Sequence, residues 1–206
     1  DRFSKNLILV FQDRSACVIH LGMSGTIHLV KKNNFTSVTN ASFYSNPKLP
    51  KKHNHIEMIF NNIKLIYNDP RRFGYLLYIN DQNDLNKKFC KYGPEPFSAL
   101  FNLNYIKKYF KNKKKNIKNL LLDQKFVSGI GNIYASEILF FCKINPNKKG
   151  KNLILIDIKK IIYYSKLVLK RAIKKGGSSI RDFKNISGDQ GSFQKDFKVY
   201  QRENLK

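Results

Sequence analysis

The stretch LLLDQKFVSGIGNIYASEILF, residues 120–140, decides the second half of the fold. Gly129 and Gly131 flank one apolar residue and lead into Asn132, a residue type that often caps a helix, and a strongly helical run follows. The pattern predicts a helix, a tight turn and a second helix capped by Asn132. Glycines let the backbone approach a ligand, and the free N–H groups at a helix start suit a phosphate. A helix corner without a ligand would use the same residues, so both interpretations stay open.

Helical periodicity extends on both sides of this stretch. Apolar residues recur at helical spacing in NYIKKYFK, residues 104–111, and again at about residues 155–175, where KKGG predicts the helix end because glycine can take a left-handed conformation. Residues 178–206 predict a glycine-containing loop followed by an edge strand. The lysine-rich segment KNKKKNIK, residues 111–118, could flank bound phosphates or form a solvated surface.

Residues 6–80 follow a different period. Short apolar or alternating runs rich in Ile, Val, Tyr and Phe are separated by QDRS, MSG, FNN and NDP, which are turn sequences, so this region predicts an antiparallel β unit. KYGPEPFSA, residues 91–99, carries two prolines and a glycine and predicts a linker. The predicted fold class is therefore α+β, with a β domain at residues 1–90, a linker at 91–103 and a helical domain at 104–206.

Charge is the strongest signal in the composition. The chain has 206 residues, with 39 Lys and Arg against 14 Asp and Glu and a formal net charge of +25. Such a surplus attracts polyanions, and nucleic acid is the obvious partner. A coding bias towards lysine would raise the charge without any function. The few arginines are therefore the more informative residues, because the planar guanidinium offers five donors that lysine cannot imitate.

The cysteine spacing and the lengths of the apolar runs indicate the cellular compartment of the protein. Cys17, Cys90 and Cys142 lie far apart, without the spacing of a zinc site or a disulfide framework, which fits a reducing cytoplasm. The longest apolar runs are well short of the roughly 20 residues that span a bilayer, and DRFSKN does not resemble a signal peptide. We therefore expect a cytoplasmic protein with no membrane partner.

Two turn segments of the β unit present unusual side chains. NDPRRFG, residues 68–74, predicts a turn that presents Arg71, Arg72 and Phe73, with a proline to fix the turn and a glycine to relax it. HLGMSG, residues 20–25, predicts a glycine-flanked turn that projects Met23. Such a Met is ordinarily core filler. Together, however, an exposed Met and Phe beside an Arg form a suitable wedge for a stack of bases.

Six segments in chain order carry a family resemblance: HLGMSG, KHNHIEM, NDPRRFG, YGPEPF, VSGIGNIYASE and GGSSIRDF. They resemble bacterial formamidopyrimidine-DNA glycosylase, the MutM/Fpg family, over essentially the whole chain. The resemblance implies an antiparallel β-sandwich, incomplete in this chain, followed by a helix-two-turn-helix domain, with DNA in the cleft between them. It also implies base-excision repair by a DNA glycosylase/AP lyase, which removes oxidised purines such as 8-oxoguanine and formamidopyrimidines and cleaves the abasic site.

The resemblance assigns roles to individual residues. Met23 and Phe73 correspond to residues that fill the gap left by the flipped nucleotide, and Arg71 to the residue that bonds the widowed cytosine. Lys5 corresponds to the proton donor in β-elimination. Four residues correspond to DNA-binding positions: His53, Arg72, Lys114 and Asn132. Four residues correspond to the lesion-capping loop: Ser187, Gly188, Gly191 and Ser192. In that loop Gln190 and Ser192 stand where some relatives carry Pro and Tyr. His55 is expected to share a strand face with His53 and to support it.

Two parts of the family pattern are not found in this sequence. The family's nucleophile is an N-terminal proline amine followed by a glutamate, whereas this sequence begins at Asp1, and the relatives continue into a four-cysteine zinc finger after the last residues seen here. We therefore expect a fragment that lacks base-excision activity by itself. We expect no metal or other cofactor in this chain and one structural zinc ion in the full-length protein. The expected partner is damaged double-stranded DNA, bound by a monomer.

Two alternatives are open. An endonuclease VIII-type glycosylase, which prefers oxidised pyrimidines, belongs to the same superfamily, but HLGMSG and DPRRFG supply the purine-type triad. A non-catalytic DNA- or RNA-binding protein would also use a helix-two-turn-helix unit. That alternative does not explain the wedge residues of the β unit.

Overall fold

The computed structural model describes residues 1–31, 51–178 and 191–202. The chain forms two compact units: Asp1–Gln82 with Lys174–Lys195, called the first unit, and Asn83–Ile173 with Asp196–Lys206, called the second unit. The domain division at residues 90 and 104 that the sequence suggests stays a prediction. In the described ranges, no helix combines the length and the apolar character that crossing a membrane requires.

The first unit is built from two antiparallel sheets. Its strands are β1 (Arg2–Phe3), β2 (Asn6–Val10), β3 (Ala16–His20), β4 (Thr26–Lys31), β5 (Asn54–Ile59), β6 (Ile63–Asn68) and β7 (Tyr75–Ile79). One sheet has the order β1-β2-β3-β7 and the other β4-β6-β5. The apolar and alternating runs of the sequence thus form the expected strands, since successive side chains of a strand point to opposite faces of the sheet.

A shared core joins the two sheets of the first unit. Cys17, Ile19 and Tyr67 are buried together, and apolar side chains of both sheets pack around them. The partners on β2 are Leu7 and Leu9, which lie two residues apart and therefore face the same side. The same spacing of two relates Cys17 to Ile19, and the other face of β3 is buried as well, at Ala16 and Val18.

The second unit is helical. Its helices are α1 (Gln82–Phe89), α2 (Leu103–Phe110), α3 (Ile117–Leu122), α4 (Asn132–Cys142) and α5 (Leu155–Lys174); the first residue of α1 and the last of α5 belong to the first unit. The side chains of Asn102 and Asn116 cap α2 and α3 by accepting hydrogen bonds from the backbone N–H groups of Tyr105 and Asn119. Sequence reasoning missed α1, because its only buried residue is Leu85 and it carries almost no apolar periodicity.

Phe126 lies at the centre of the second unit's core. Its ring is fully buried and lies 4.6 Å from the ring of Phe110 and 4.8 Å from that of Tyr109, measured between centroids. The Tyr105 ring stacks parallel to it at 6.0 Å, and the Tyr105 hydroxyl donates to the Phe126 carbonyl at 2.7 Å. Phe126 lies in the segment between α3 and α4, so the aromatic cluster fixes the turn that leads into α4.

A buried carboxylate anchors the end of the described chain. Glu137 on α4 is fully buried and accepts hydrogen bonds from the backbone N–H groups of Lys198, Val199 and Tyr200, at 2.8, 3.0 and 3.0 Å. A buried charge is stable only when it is paired or hydrogen-bonded, and three N–H donors meet that need. The segment 198–200 is therefore held on α4.

Candidate nucleic-acid interface

Asp69 organises the turn that follows β6. Its carboxylate is 1% exposed and accepts hydrogen bonds from the Ser24 hydroxyl at 2.5 Å, the Gly74 backbone N–H at 2.8 Å and the Tyr67 hydroxyl at 3.1 Å. Burial tends to raise the pKa of this carboxyl, but the hydrogen bonds outweigh burial, and the pKa lies below its ordinary value. Burial, aided by the neighbouring carboxylate, raises the pKa of Tyr67. An ionised Asp69 therefore clamps both ends of the turn.

Arg71 and Phe73 are presented together on this turn. The Phe73 side chain is 55% exposed, and the guanidinium carbon of Arg71 lies 4.7 Å from the centre of its ring. Arg72, between them, takes the left-handed conformation with φ of 56°. The expectation that Gly74 relaxes the turn was wrong, because the positive φ falls on Arg72. Gly74 is needed for space instead, since a Cβ there would overlap the Tyr67 hydroxyl and the His20 carbonyl.

A second turn brings Met23 beside the first. Gly22 takes φ of 61°, the Gly25 N–H closes the turn on the Leu21 carbonyl at 2.8 Å, and the Met23 side chain is 62% exposed. A Cβ on Gly22 would lie only 2.6 Å from the carbonyl carbon of Phe73, so the two turns touch backbone to backbone. They are also linked by the Arg71 N–H, which donates to the Ser24 hydroxyl at 3.2 Å. The structure thus brings the predicted triad together.

These two turns border a pocket of about 860 Å³ in the first unit. Met23 and Phe73 line it together with Lys5, which lies on the turn between β1 and β2. The preceding residue, Ser4, has φ of 55°, which turns the chain tightly at this point. Lys5 is exposed, but partial desolvation of its ammonium at the pocket wall lowers its pKa, which makes it a stronger acid than a free lysine. The lysine assigned to proton donation therefore shares one pocket with the wedge side chains.

His20 is a pocket residue that sequence reasoning missed. It lines the pocket at the end of β3, and its Nδ1 lies 3.1 Å from the Lys5 carbonyl oxygen, which can only accept, so Nδ1 carries the proton. The Tyr75 ring stacks on the imidazole at 5.3 Å, and the Tyr75 hydroxyl donates to Asn6 Oδ1 at 3.1 Å. The position of His20 in HLGMSG, directly before the Met23 turn, was the available signal.

The predicted relation of His53 to His55 was wrong. His53 belongs to a 3-10 helix, Lys51–His53, that precedes β5, so only His55 lies on the strand. Both nevertheless contact Asp69: the His53 carbonyl accepts from the Asp69 N–H at 3.0 Å, and His55 Nε2 donates to the Asp69 carbonyl at 2.8 Å. The two histidines therefore support the arginine turn through its backbone.

The glycine turn of the second unit has the predicted form with one correction. The helix α4 is capped by Gly131 and not by Asn132, which is the first helical residue, and the cap makes no side-chain hydrogen bond. Gln124 holds the turn, accepting from the Gly129 N–H at 2.8 Å and donating to the Ile130 carbonyl at 3.0 Å. Asn132 is exposed at this helix start. The Asn132 amide is therefore available to an anion at the start of α4.

Lys114 lies in the loop between α2 and α3. It is exposed, as are its neighbours Lys113 and Lys115. Lys113 Nζ lies 4.6 Å from the centre of the Tyr109 ring, so one of the three lysines is held by a cation–π contact. The remaining two present their charge to solvent.

The lesion-capping loop is described only at its base. Ser187, Gly188 and Gln190 lie outside the described residues. Gly191 and Ser192 form the returning arm, where the Ser192 N–H donates to the Lys175 carbonyl at 2.9 Å. The α5 helix ends at the predicted glycines, with φ of 71° at Gly176 and 86° at Gly177. The edge strand expected after the loop is absent from residues 191–202, which contain instead a 3-10 helix at Phe193–Asp196.

Comparisons with known proteins agree with this geometry. Residues 1–76 match the formamidopyrimidine-DNA glycosylase N-terminal domain, and residues 92–184 match the formamidopyrimidine-DNA glycosylase H2TH domain. A formamidopyrimidine-DNA glycosylase of Legionella pneumophila (strain Lens) is 37% identical over 199 residues, which cover 96% of this chain and 68% of the relative.

Solved structures give the same result. The Lactococcus lactis Fpg bound to an abasic site containing DNA matches with a TM-score of 0.83 and 32% identity, over 98% of this chain and 69% of that one. A mutant of the same protein in complex with a Fapy-dG containing DNA matches with the same values. With these matches extending across both units, the chain belongs to the formamidopyrimidine-DNA glycosylase family.

Proposed function

We propose that this chain is part of an enzyme of base-excision repair. That enzyme removes oxidised purines from duplex DNA as a DNA glycosylase and cleaves the resulting abasic site as an AP lyase. The observation that carries the proposal is the joint presentation of Met23, Arg71 and Phe73 on two touching turns, with Met23 and Phe73 lining one pocket. The relatives support it, because the Lactococcus lactis protein is solved with damaged DNA.

Met23 and Phe73 act as the wedge. Exposing two large apolar side chains to water is unfavourable, and each gains about 1.5–3 kcal/mol when it is fully buried. Insertion into a base stack provides that burial and offsets the few kcal/mol that unstacking one step costs. The wedge therefore stabilises the DNA state in which one nucleotide has left the helix.

Arg71 reads the base that remains. Its guanidinium is held over the Phe73 ring, so insertion of the ring brings the fork of donors to the widowed base. A cytosine offers acceptors to that fork, whereas a lysine in the same place would supply only a point charge. This is why an arginine is required at this position of a lysine-rich chain.

Lys5 serves the AP lyase step. In β-elimination a water molecule takes the C2′ proton of the abasic sugar and the C2′=C3′ double bond forms. The C3′–O bond breaks, its electron pair leaves with the phosphate, and the departing phosphate takes up a proton. The Lys5 ammonium, with its lowered pKa at the pocket wall, supplies the proton. His20 stands beside it, and its Nδ1–H donates to the Lys5 carbonyl, which holds the backbone of Lys5 at the pocket wall.

The proposal is tested by binding. The chain is titrated with duplexes that carry an abasic-site analogue opposite each of the four bases. We expect tighter binding opposite cytosine, and we expect Arg71→Ala to remove that preference, since one well-placed base contact is worth about 1–3 kcal/mol.

Arg14→Ala is the matched control. Arg14 is an exposed arginine of the same unit and lies in the turn between β2 and β3, at the opposite end of that hairpin from Lys5. The substitution therefore removes the same charge at a position away from the pocket. It should leave the preference for cytosine intact. If Arg71→Ala retained the preference, or if the unmodified chain bound intact duplex as tightly as the abasic duplex, the proposed function would be wrong.

A further inference from the structure

A second concave surface lies in the second unit. It is a pocket of about 520 Å³ between α2, the 3-10 helix Gly150–Asn152 and the first turns of α5. Its apolar floor includes the buried side chains of Phe110 and Ile158. Its rim carries four exposed lysines: Lys107, Lys108, Lys111 and Lys151. This surface is called the lysine pocket.

The positive charge of the lysine pocket is not neutralised by nearby acids. In the described part of the chain, the ion pairs Lys64–Glu57, Lys87–Asp84 and Lys148–Asp157 involve none of these four lysines, and Asp157, the acid in the first turn of α5, is held by Lys148 at 2.6 Å. Lys107 and Lys111 stand four residues apart on α2 and its C-cap, a spacing at which like charges destabilise a helix. The helix dipole favours lysines in the last turn of α2 but does not account for Lys151, which comes from another segment.

The lysine pocket adjoins the loop that carries Lys114. The Lys151 N–H donates to the Lys113 carbonyl at 3.0 Å, and the Gly150 N–H donates to the Lys115 carbonyl at 3.0 Å. The backbone of residues 149–151 is thus bonded to both sides of Lys114, with a further bridge between Asn116 and Lys149. The charge of the lysine pocket therefore continues directly from Lys114, the residue to which the sequence resemblance assigns DNA binding.

We propose that the lysine pocket binds the phosphate backbone of the same DNA duplex outside the lesion, as an extension of the contact at Lys114. Lysine ammonium groups bind phosphates as point charges and release condensed counterions, without reading base sequence. The lysine pocket should therefore raise affinity for damaged and undamaged duplex alike and leave the lesion preference unchanged. The identity of the partner rests on the proposed function.

The test is the salt dependence of binding. The triple variant Lys107→Gln/Lys111→Gln/Lys151→Gln is titrated with an abasic-analogue duplex of about 30 base pairs at several salt concentrations, long enough to reach past the lesion on both sides. The slope of log K against log salt should become shallower by about 0.9 for each phosphate that the variant no longer neutralises, with the preference for cytosine retained. Circular dichroism and the thermal midpoint establish that the variant is folded.

A matched control separates a specific surface from diffuse charge. The triple variant Lys166→Gln/Lys170→Gln/Lys174→Gln removes the same charge at a repeated spacing of four along α5. It should change the slope much less. Equal changes in the two triple variants, or an unchanged slope in the first, would overturn the proposal, as would weakened binding of single-stranded RNA with duplex binding intact.

Failure of this proposal is distinguishable from failure of the proposed function. If the unmodified chain showed no preference for the abasic duplex, the proposed function would fail, while the slope on undamaged duplex would still test the lysine pocket. A duplex of about 10 base pairs centred on the lesion, some 34 Å long, omits the outer phosphates. On it the first triple variant should bind as the unmodified chain does, and a full loss of affinity there would contradict a contact outside the lesion.

Discussion

At the scale of single residues, Arg72 is held in a strained backbone conformation. A non-glycine residue with φ of 56° is held there by the hydrogen bonds of the surrounding turn, and such a conformation costs about 1–3 kcal/mol. The arrangement points Arg71 and Phe73 outward on either side. The strain is thus part of how the turn presents its side chains.

Two substitutions at Arg72 separate the strain from the charge. Arg72→Gly and Arg72→Ala remove the same positive charge, so both should weaken DNA binding equally and make the salt slope shallower by about 1. Glycine accepts the left-handed conformation and alanine does not, so the glycine variant should be the more stable by about 1 kcal/mol in urea unfolding. Equal stability of the two variants would show that the backbone here is not strained.

Asp69 gives the arginine turn a dependence on pH. The folded-state pKa lies below the ordinary value, so its stabilisation is fully present above about pH 4 and is lost as the pH falls through the folded-state pKa. Asp69→Asn should therefore lower the free energy of unfolding at pH 7 by about 2 kcal/mol and flatten its decrease in acid. Urea unfolding between pH 7 and pH 3 measures both effects.

Asp13→Asn is the control for this experiment. Asp13 is an exposed carboxylate in the turn between β2 and β3, bonded to Ser15. Its replacement should change stability less at pH 7 and leave most of the acid limb in place. The same flattening in both variants would show that Asp69 is not the responsible group.

At the scale of elements, α4 is fixed both at its start and along its length. Its start is built by Gln124 and two glycines, and Glu137 in its middle turn holds the backbone of residues 198–200. The helix α4 therefore does more than form one side of the helix–turn–helix. It also anchors the chain that returns after the lesion loop.

Glu137→Gln tests that anchor. An amide of the same shape has one accepting oxygen instead of two and turns an NH2 group towards backbone donors, so the free energy of unfolding should fall by about 2–3 kcal/mol. Hydrogen exchange at the amides of residues 198–200 should accelerate more than elsewhere in the second unit. Glu57→Gln is the control, because Glu57 is a partly exposed partner of Lys64 and should cost less than about 1 kcal/mol. Unchanged exchange at residues 198–200 would refute the anchor.

At the scale of the whole molecule, periodicity predicted most of the architecture. The α+β class, the strands β2 to β7 and the helices α2 to α5 follow from alternation and helical spacing, because burial of one face leaves a direct trace in the sequence. The helix α1 left no such trace, since only Leu85 is buried. The helix cap moved by one residue to Gly131, because backbone geometry and not side-chain preference decided it.

The site was predictable where it is local and not where it depends on contacts between distant segments. The turns that carry Met23 and Phe73 can be recognised from their glycines and proline. The full roles of Asp69 and His20 cannot, since Asp69 gains one of its three partners from Ser24, 45 residues away, and His20 bonds Lys5, 15 residues away. Single-sequence patterns carry no information about such pairs.

The backbone contact between Gly22 and Phe73 affects the order in which the two side chains can insert into DNA. The Met23 turn and the Phe73 turn touch, and the Ser24 hydroxyl of the first turn is hydrogen-bonded to the Asp69 carboxylate and to the Arg71 N–H of the second. The two turns are therefore expected to move together. Met23 and Phe73 are therefore expected to insert into DNA together, in a single step and not one after the other. The duplex would then open without an intermediate in which only one of the two side chains is inserted. During the search for damage, each insertion of the pair would either go to completion or be reversed.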